Sequence, residues 1–251
     1  MILVAVSATG LLIFLWPFLS LGAAPVAAAT SIALGTVAAL AVVEALTRQL
    51  DSRRFAVLAA IAAVDAALRL VLVEGIGGFS PIFFLILAAG YVFGPSFGFL
   101  CGAVSLLASS LVTGGIGPWL PYEMFACGWV GALAGVAGLR RRGRFSVRDV
   151  VVLGVIAVLT GFVYGALVDI WDWSTFYRNA PGYGYVSGAA PGELLRRFAS
   201  FYVATSAVWD GFRAVGDAVA VAVLGLPVMA ALSRLRRRLS FTTTGQAAQR
   251  S

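Results

Sequence analysis

The chain predicts an all-α protein, a polytopic bundle of membrane-spanning helices, and three observations carry that expectation. Hydrophobic residues make up 61% of the 251 and mean hydropathy is +0.96. Charged residues are only 12%, against roughly 25% in ordinary soluble domains. The charges are also gathered, with arginines clustered between apolar runs that approach the ~20 residues needed to cross a bilayer. The length leaves room for about eight such spans with short connections.

The net charge of +7 lies beside those runs. It reads as a topology signal and as contact with lipid headgroups rather than nucleic acid. Every basic residue is Arg, so the Walker A lysine is missing and no P-loop ATPase is expected. The absence of His removes His-ligated metal sites and Ser-His catalysis. No cofactor, metal or catalytic residue is expected, although carboxylate chemistry on a lipid stays open as an enzyme reading. Cys101 and Cys127 fall inside apolar runs and read as small core residues.

The first span runs from about Ile2 to Leu21, with Pro17 near its outer end. The second runs from about Pro25 to Leu46 after a Gly/Ala/Pro turn. Small residues at Gly22, Ala23 and Ala24 faintly mimic a cleavage site, but there is no basic stretch ahead of the apolar run, so residues 1–47 read as two retained spans. Glu44 falls at the cytoplasmic end of the second span, and the cluster from Arg48 to Arg54 follows.

The third span, about Phe55 to Val73, carries Ala59, Ala63 and Ala67 at four-residue intervals. Such a strip of small side chains admits another helix, from inside the bundle or from a partner. Asp65 and Arg69 are spaced i, i+4 and can neutralise each other as a structural pair. Charges at this depth face protein or a water-filled cavity. The loop from Glu74 to Pro81 holds three glycines together with Phe79 and Ser80. The fourth span, about Ile82 to Phe93, covers only about 18 Å at 1.5 Å per residue, so it must start below the surface. Short, interrupted helices beside a Gly-rich loop are where membrane transporters place binding cavities.

Spans five and six, about Ser96 to Val112 and Tyr122 to Leu139, fold back on each other across a turn rich in Gly and Pro. Trp119 and Tyr122 there suit a headgroup boundary. Arg140, Arg141, Arg142, Arg144 and Arg148 form the strongest basic cluster. The seventh span, about Val150 to Ile170, ends in Trp171, Asp172 and Trp173, and a long polar loop is expected to about Ser200. The eighth, about Phe201 to Leu224, places Asp210, Arg213 and Asp217 on one face. It is expected to break at Gly225-Leu226-Pro227, ahead of Arg234 to Arg238, with residues 240–251 as a disordered cytoplasmic tail. The basic clusters put both termini in the cytoplasm of a cell (plasma) membrane, with the loops 74–81, 113–121 and 173–200 outside.

The run GYVFGPSFGFLCGAVSLLASSLVTGGIGPWLPYEMFACGWVGALAG resembles the central hairpin of the substrate-binding S components of energy-coupling factor (ECF) vitamin transporters, and the likeness extends from about Arg53 to Leu239. The resemblance implies a six-helix membrane domain over 53–239, here preceded by two additional spans. It implies a bacterial vitamin-binding subunit that docks through its alanine strip onto a transmembrane T subunit driven by two ATPase subunits. A corrinoid of the cobalamin type is the first candidate ligand. The residues expected to meet the ligand are Phe79, Ser80, Trp119, Tyr122, Glu123, Trp171, Asp172, Trp173, Trp209, Asp210 and Arg213. Arg213 and Asp217 are also expected to pair structurally. The rival readings are a proton-coupled secondary permease, for which no internal repeat is visible, and a non-transporting membrane assembly subunit.

Overall fold

In lipid every backbone polar group must find a partner within the protein, and this chain meets that demand with helices. The computed structural model describes residues 2–18, 35, 50–72, 81–141 and 143–248, and no strand occurs among them beyond a single bridge between Arg178 and Tyr185. The second N-terminal span, Glu44, Arg142 and the loop bearing Phe79 and Ser80 lie outside the described residues.

In chain order the helices are α1 (Ile2–Leu15), a 3-10 turn (Trp16–Phe18), α2 (Ser52–Leu72), α3 (Phe84–Phe93), α4 (Pro95–Thr113), α5 (Leu120–Leu139), α6 (Val147–Thr175), α7 (Pro191–Thr205) and α8 (Ala207–Ala248). Among the described residues four stretches are long and apolar enough to cross a membrane: α4, α5, α6 and the Ala207–Leu239 part of α8. The architecture is that of a helical membrane bundle.

Glycine and proline set the ends of these helices. Gly94, at φ 102°, turns the chain from α3 into α4, whose first residue is Pro95. Gly114 closes α4 in the left-handed region at φ 72°, with its N–H on the Ser110 carbonyl. A reciprocal capping box between Ser146 and Asp149 starts α6.

α4 and α5 form the antiparallel hairpin expected from the sequence, and α3 lies across both. Their closeness depends on missing side chains. A Cβ on Gly131 would overlap the Gly98 carbonyl, one on Gly98 would overlap the Gly131 carbonyl, and one on Gly138 would overlap the Tyr91 carbonyl. α2 packs on α4, α6 pairs with α8, α3 joins the two halves by also touching α8, and α1 lies along α5. Cys101 and Cys127 are free and fully buried in this core.

Four expectations are corrected. The stretch read as loop up to Ser200 contains α7, whose Pro191 start, first-turn Glu193 and apolar stripe of Leu194, Phe198 and Phe201 are ordinary helix signals. The last span therefore begins at Ala207 rather than Phe201. The helix does not break at Pro227 but passes through it; a proline costs a membrane helix only one backbone bond, which neighbours can absorb. It stays helical to Ala248, through the residues read as a polar tail.

Candidate functional site

The buried charges converge where the short α3 begins. Asp65 and Arg69 sit on one face of α2, 2% and 4% exposed, with Arg69 Nε 2.8 Å from Asp65 Oδ2. Arg69 Nη2 also reaches the Ile82 carbonyl and Cys127 Sγ, each at 3.4 Å, so one guanidinium ties α2 to the entry of α3 and to α5.

On α8, Arg213 pairs with Asp210, and Asp210 Oδ2 also accepts the Tyr202 hydroxyl at 2.8 Å. The opposing helix makes room for this pair, because the Asp210 carboxylate occupies the place that a Cβ on Gly165 would take. Arg213 Nη1 reaches the Gly161 carbonyl at 3.4 Å. Of the two carboxylates that the sequence placed on the face of Arg213, Asp210 makes the ion pair. A helical residue three positions away lies on the same side of the turn, whereas Asp217 is held by another contact.

That contact explains the short helix. The first N–H groups of any helix lack an intrahelical acceptor, and α3 starts inside the bundle. There Asp217 Oδ1 accepts the Phe83 N–H at 2.9 Å, so a carboxylate supplied by α8 serves the α3 N-terminus, where negative charge is favoured. Asp217 is fully buried, and its Oδ2 finds no donor among the described residues.

Both arginines also approach the Phe83 ring, with Arg69 Cζ 5.8 Å and Arg213 Cζ 6.0 Å from its centroid. Tyr164 packs edge-on to Phe83 at 4.7 Å and takes Arg213 at 5.3 Å. Cation–π contacts at these distances stabilise a desolvated guanidinium that already has a carboxylate partner. Glu123, in the first turn of α5, feels the charges of Arg69, Asp172 and Arg213. Glu123 and Asp172 are both half-buried, and no side-chain hydrogen bond joins either carboxylate to the described residues.

A cap of aromatic residues lies at the same end of the bundle. Trp171 is buried against Trp119, Tyr122 and Phe176, and Trp173 is buried with its indole N–H donated to the Tyr183 carbonyl at 2.7 Å. Trp173, Tyr185, Leu194 and Phe201 form a core of their own beneath α7. Arg197 binds both Glu193, at 2.6 Å, and the Gly184 carbonyl, at 3.3 Å, fastening α7 to the preceding loop. Hydrogen bonds from Arg196 and then Arg197 hold the Glu193 carboxyl below the ordinary glutamate range.

The sequence-chosen residues thus divide. Asp210 pairs with Arg213 on α8 and Asp65 with Arg69 on α2, while Glu123 and Asp172 are half-buried. Tyr122, Trp171 and Trp173 are consumed by packing, Trp119 is half-buried, and Trp209 points away at 58% exposure. Ala59, Ala63 and Ala67 lie on an exposed face of α2, with Val64 and Leu68 beside them. Sequence reasoning missed Phe83, Tyr164 and Tyr202. A signal existed for α6, where Gly161 and Gly165 stand four apart, the small-residue spacing of a close helix crossing. No residue set suited to a metal ion occurs among the described residues. No family model, curated protein or solved structure matches the chain.

Proposed function

We propose that this chain is a membrane-embedded solute-binding subunit of the ECF S-component type, which captures a micronutrient at the aromatic-capped end and depends on a T subunit and two ATPase subunits for transport. The observation that supports this most is the start of α3 inside the bundle, at a point where two guanidiniums, the carboxylates of Asp65, Asp210 and Asp217 and the rings of Phe83 and Tyr164 meet. Interrupted helices with an interior N-terminus are the usual material of transporter binding sites. Half-buried Glu123 and Asp172 are the polar groups left to meet a ligand. The arginine-rich end faces the cytoplasm in this reading. The ligand is a vitamin-like solute with hydrogen-bonding groups, and a corrinoid is the candidate that the hairpin likeness favours.

The exposed alanine face of α2 is the docking surface in this proposal. Ala63→Trp should leave solute binding by the isolated chain intact and abolish uptake in cells that carry the partner subunits. Loss of both together would assign the face to internal packing. Mass spectrometry of small molecules that co-purify with the chain identifies the solute. A proton-coupled permease is favoured by one observation, the Oδ2 of Asp217 deep in the bundle, which has no partner among the described residues. Uptake driven by a pH gradient in proteoliposomes holding this chain alone would establish that reading and defeat the first.

A further inference from the structure

At the opposite end, a cavity of about 510 Å³ lies between the ends of α3 and α5 and the first turns of α6. Arg140, Arg141, Arg144 and Arg148 line it, and Asp149 is the only acid among the lining residues. Asp149 is already committed. It accepts the Tyr91 hydroxyl at 2.7 Å and the Ser146 N–H at 2.8 Å, with Arg141 Nε 3.7 Å away. Four guanidiniums against one carboxylate leave an excess of three positive charges (4 − 1) around the cavity. Arg141 is stacked on Phe145 at 3.6 Å and donates from Nη2 to the Gly143 carbonyl at 2.6 Å, and its buried Nε has no hydrogen-bond acceptor among the described residues.

A second cavity adjoins the first. An apolar cleft of about 600 Å³ runs between α1, α5 and α6, and Val136 lines it while the next residue, Ala137, lines the basic cavity. The cleft is walled by side chains such as Leu3, Val4, Leu133 and Val163. The two are lined by consecutive residues of α5 and share no lining residue, so a charged compartment at the helix ends lies next to a hydrocarbon-lined one along the span. An inorganic anion would use only the first compartment. A molecule with a phosphate and an acyl chain would use both.

We propose that these compartments together form a binding site for an anionic phospholipid, with the headgroup phosphate held by Arg140, Arg141, Arg144 and Arg148 and one acyl chain lying in the α1/α5/α6 cleft. Guanidiniums bind phosphate through paired, charge-assisted hydrogen bonds, and basic pockets between membrane helices take acidic headgroups for this reason.

The test is native mass spectrometry of the full chain in detergent with dioleoyl phosphatidylglycerol, dioleoyl phosphatidylcholine or inorganic phosphate added. Phosphatidylglycerol should be retained at least about tenfold better than phosphatidylcholine, since two or more surface charges worth about fivefold each act on it. Arg144 and Arg148 are exposed, so Arg144→Gln with Arg148→Gln should fold and lose roughly 25-fold in phosphatidylglycerol retention. The same positions changed to Lys should keep most of it. Equal retention of the two lipids by the parent chain would overturn the proposal whether or not the Gln variant folds, as would unchanged retention in a folded Gln variant. Displacement of bound phosphatidylglycerol by millimolar inorganic phosphate would reduce the site to an anion pocket and overturn the acyl-chain compartment.

Discussion

The α3–α4–α5 layer and the seam joining α2, α3, α6 and α8 hold helices together in the same bundle by opposite means. In the layer, side chains are removed until backbones touch, as at Gly98 with Gly131 and Gly138 with Tyr91. No charge is needed there, and the attraction is dispersion summed over close surfaces. In the seam, Asp65, Arg69, Asp210, Arg213 and Asp217 bring costly groups into the interior and satisfy them with each other, with the α3 N-terminus and with two aromatic rings. The layer has one way to fit. The seam keeps unused capacity in the Asp217 Oδ2 and in the half-buried Glu123 and Asp172, and that capacity makes it the candidate for binding.

The comparison can be broken most decisively in the layer. Gly131→Leu places a branched side chain against the Gly98 carbonyl, a backbone atom that cannot step aside. The expected loss exceeds about 4 kcal/mol, beyond the range of ordinary substitutions, and is read as the absence of a monodisperse folded species in detergent. Recovery of that species with normal thermal stability would show that the layer is looser than its glycines imply.

A smaller effect is expected in the seam, and it should be reversible by a second change. Arg69→Met strands the buried Asp65 carboxylate and should cost about 3–5 kcal/mol, whereas Asp65→Leu with Arg69→Met removes both charges and should regain most of it. Thermal unfolding of both variants checks this. A double variant no more stable than the single would mean that Arg69 acts mainly through Ile82 and Cys127.

The smallest effect is expected outside both regions. Trp209→Ala removes a large ring from the same helix that carries Asp210, yet the ring is exposed. Stability in detergent should move by no more than about 0.5 kcal/mol, and solute binding should be unchanged. A loss of binding would return Trp209 to the site from which its direction excludes it.

The hairpin was legible because two nearly uncharged runs flank a Gly/Pro turn, and the i, i+4 spacing of Asp65 and Arg69 translated directly into an ion pair. α7 was missed even though its proline start and apolar stripe were present, because the surrounding Tyr, Gly and Pro residues dominate the composition of that stretch. The pairing of Arg213 was legible only as a set of neighbours. Spacing admitted both Asp210 and Asp217, and the choice depended on the start of α3 already claiming Asp217.

By itself, the sequence determined the helical class, four of the apolar spans and the end of the bundle at which arginines gather, because each follows from local composition and from the demand that backbone in lipid satisfy itself. The tertiary structure alone decided which aromatic rings are packing and which meet the charges. Trp173 follows the end of an apolar run and Tyr164 lies inside the same run, and only the path of neighbouring helices buries one under α7 and places the other against Arg213. It also decided that the basic cavity adjoins an apolar cleft. That adjacency depends on α1, α5 and α6 meeting, and contacts between distant segments leave no periodicity in any one of them.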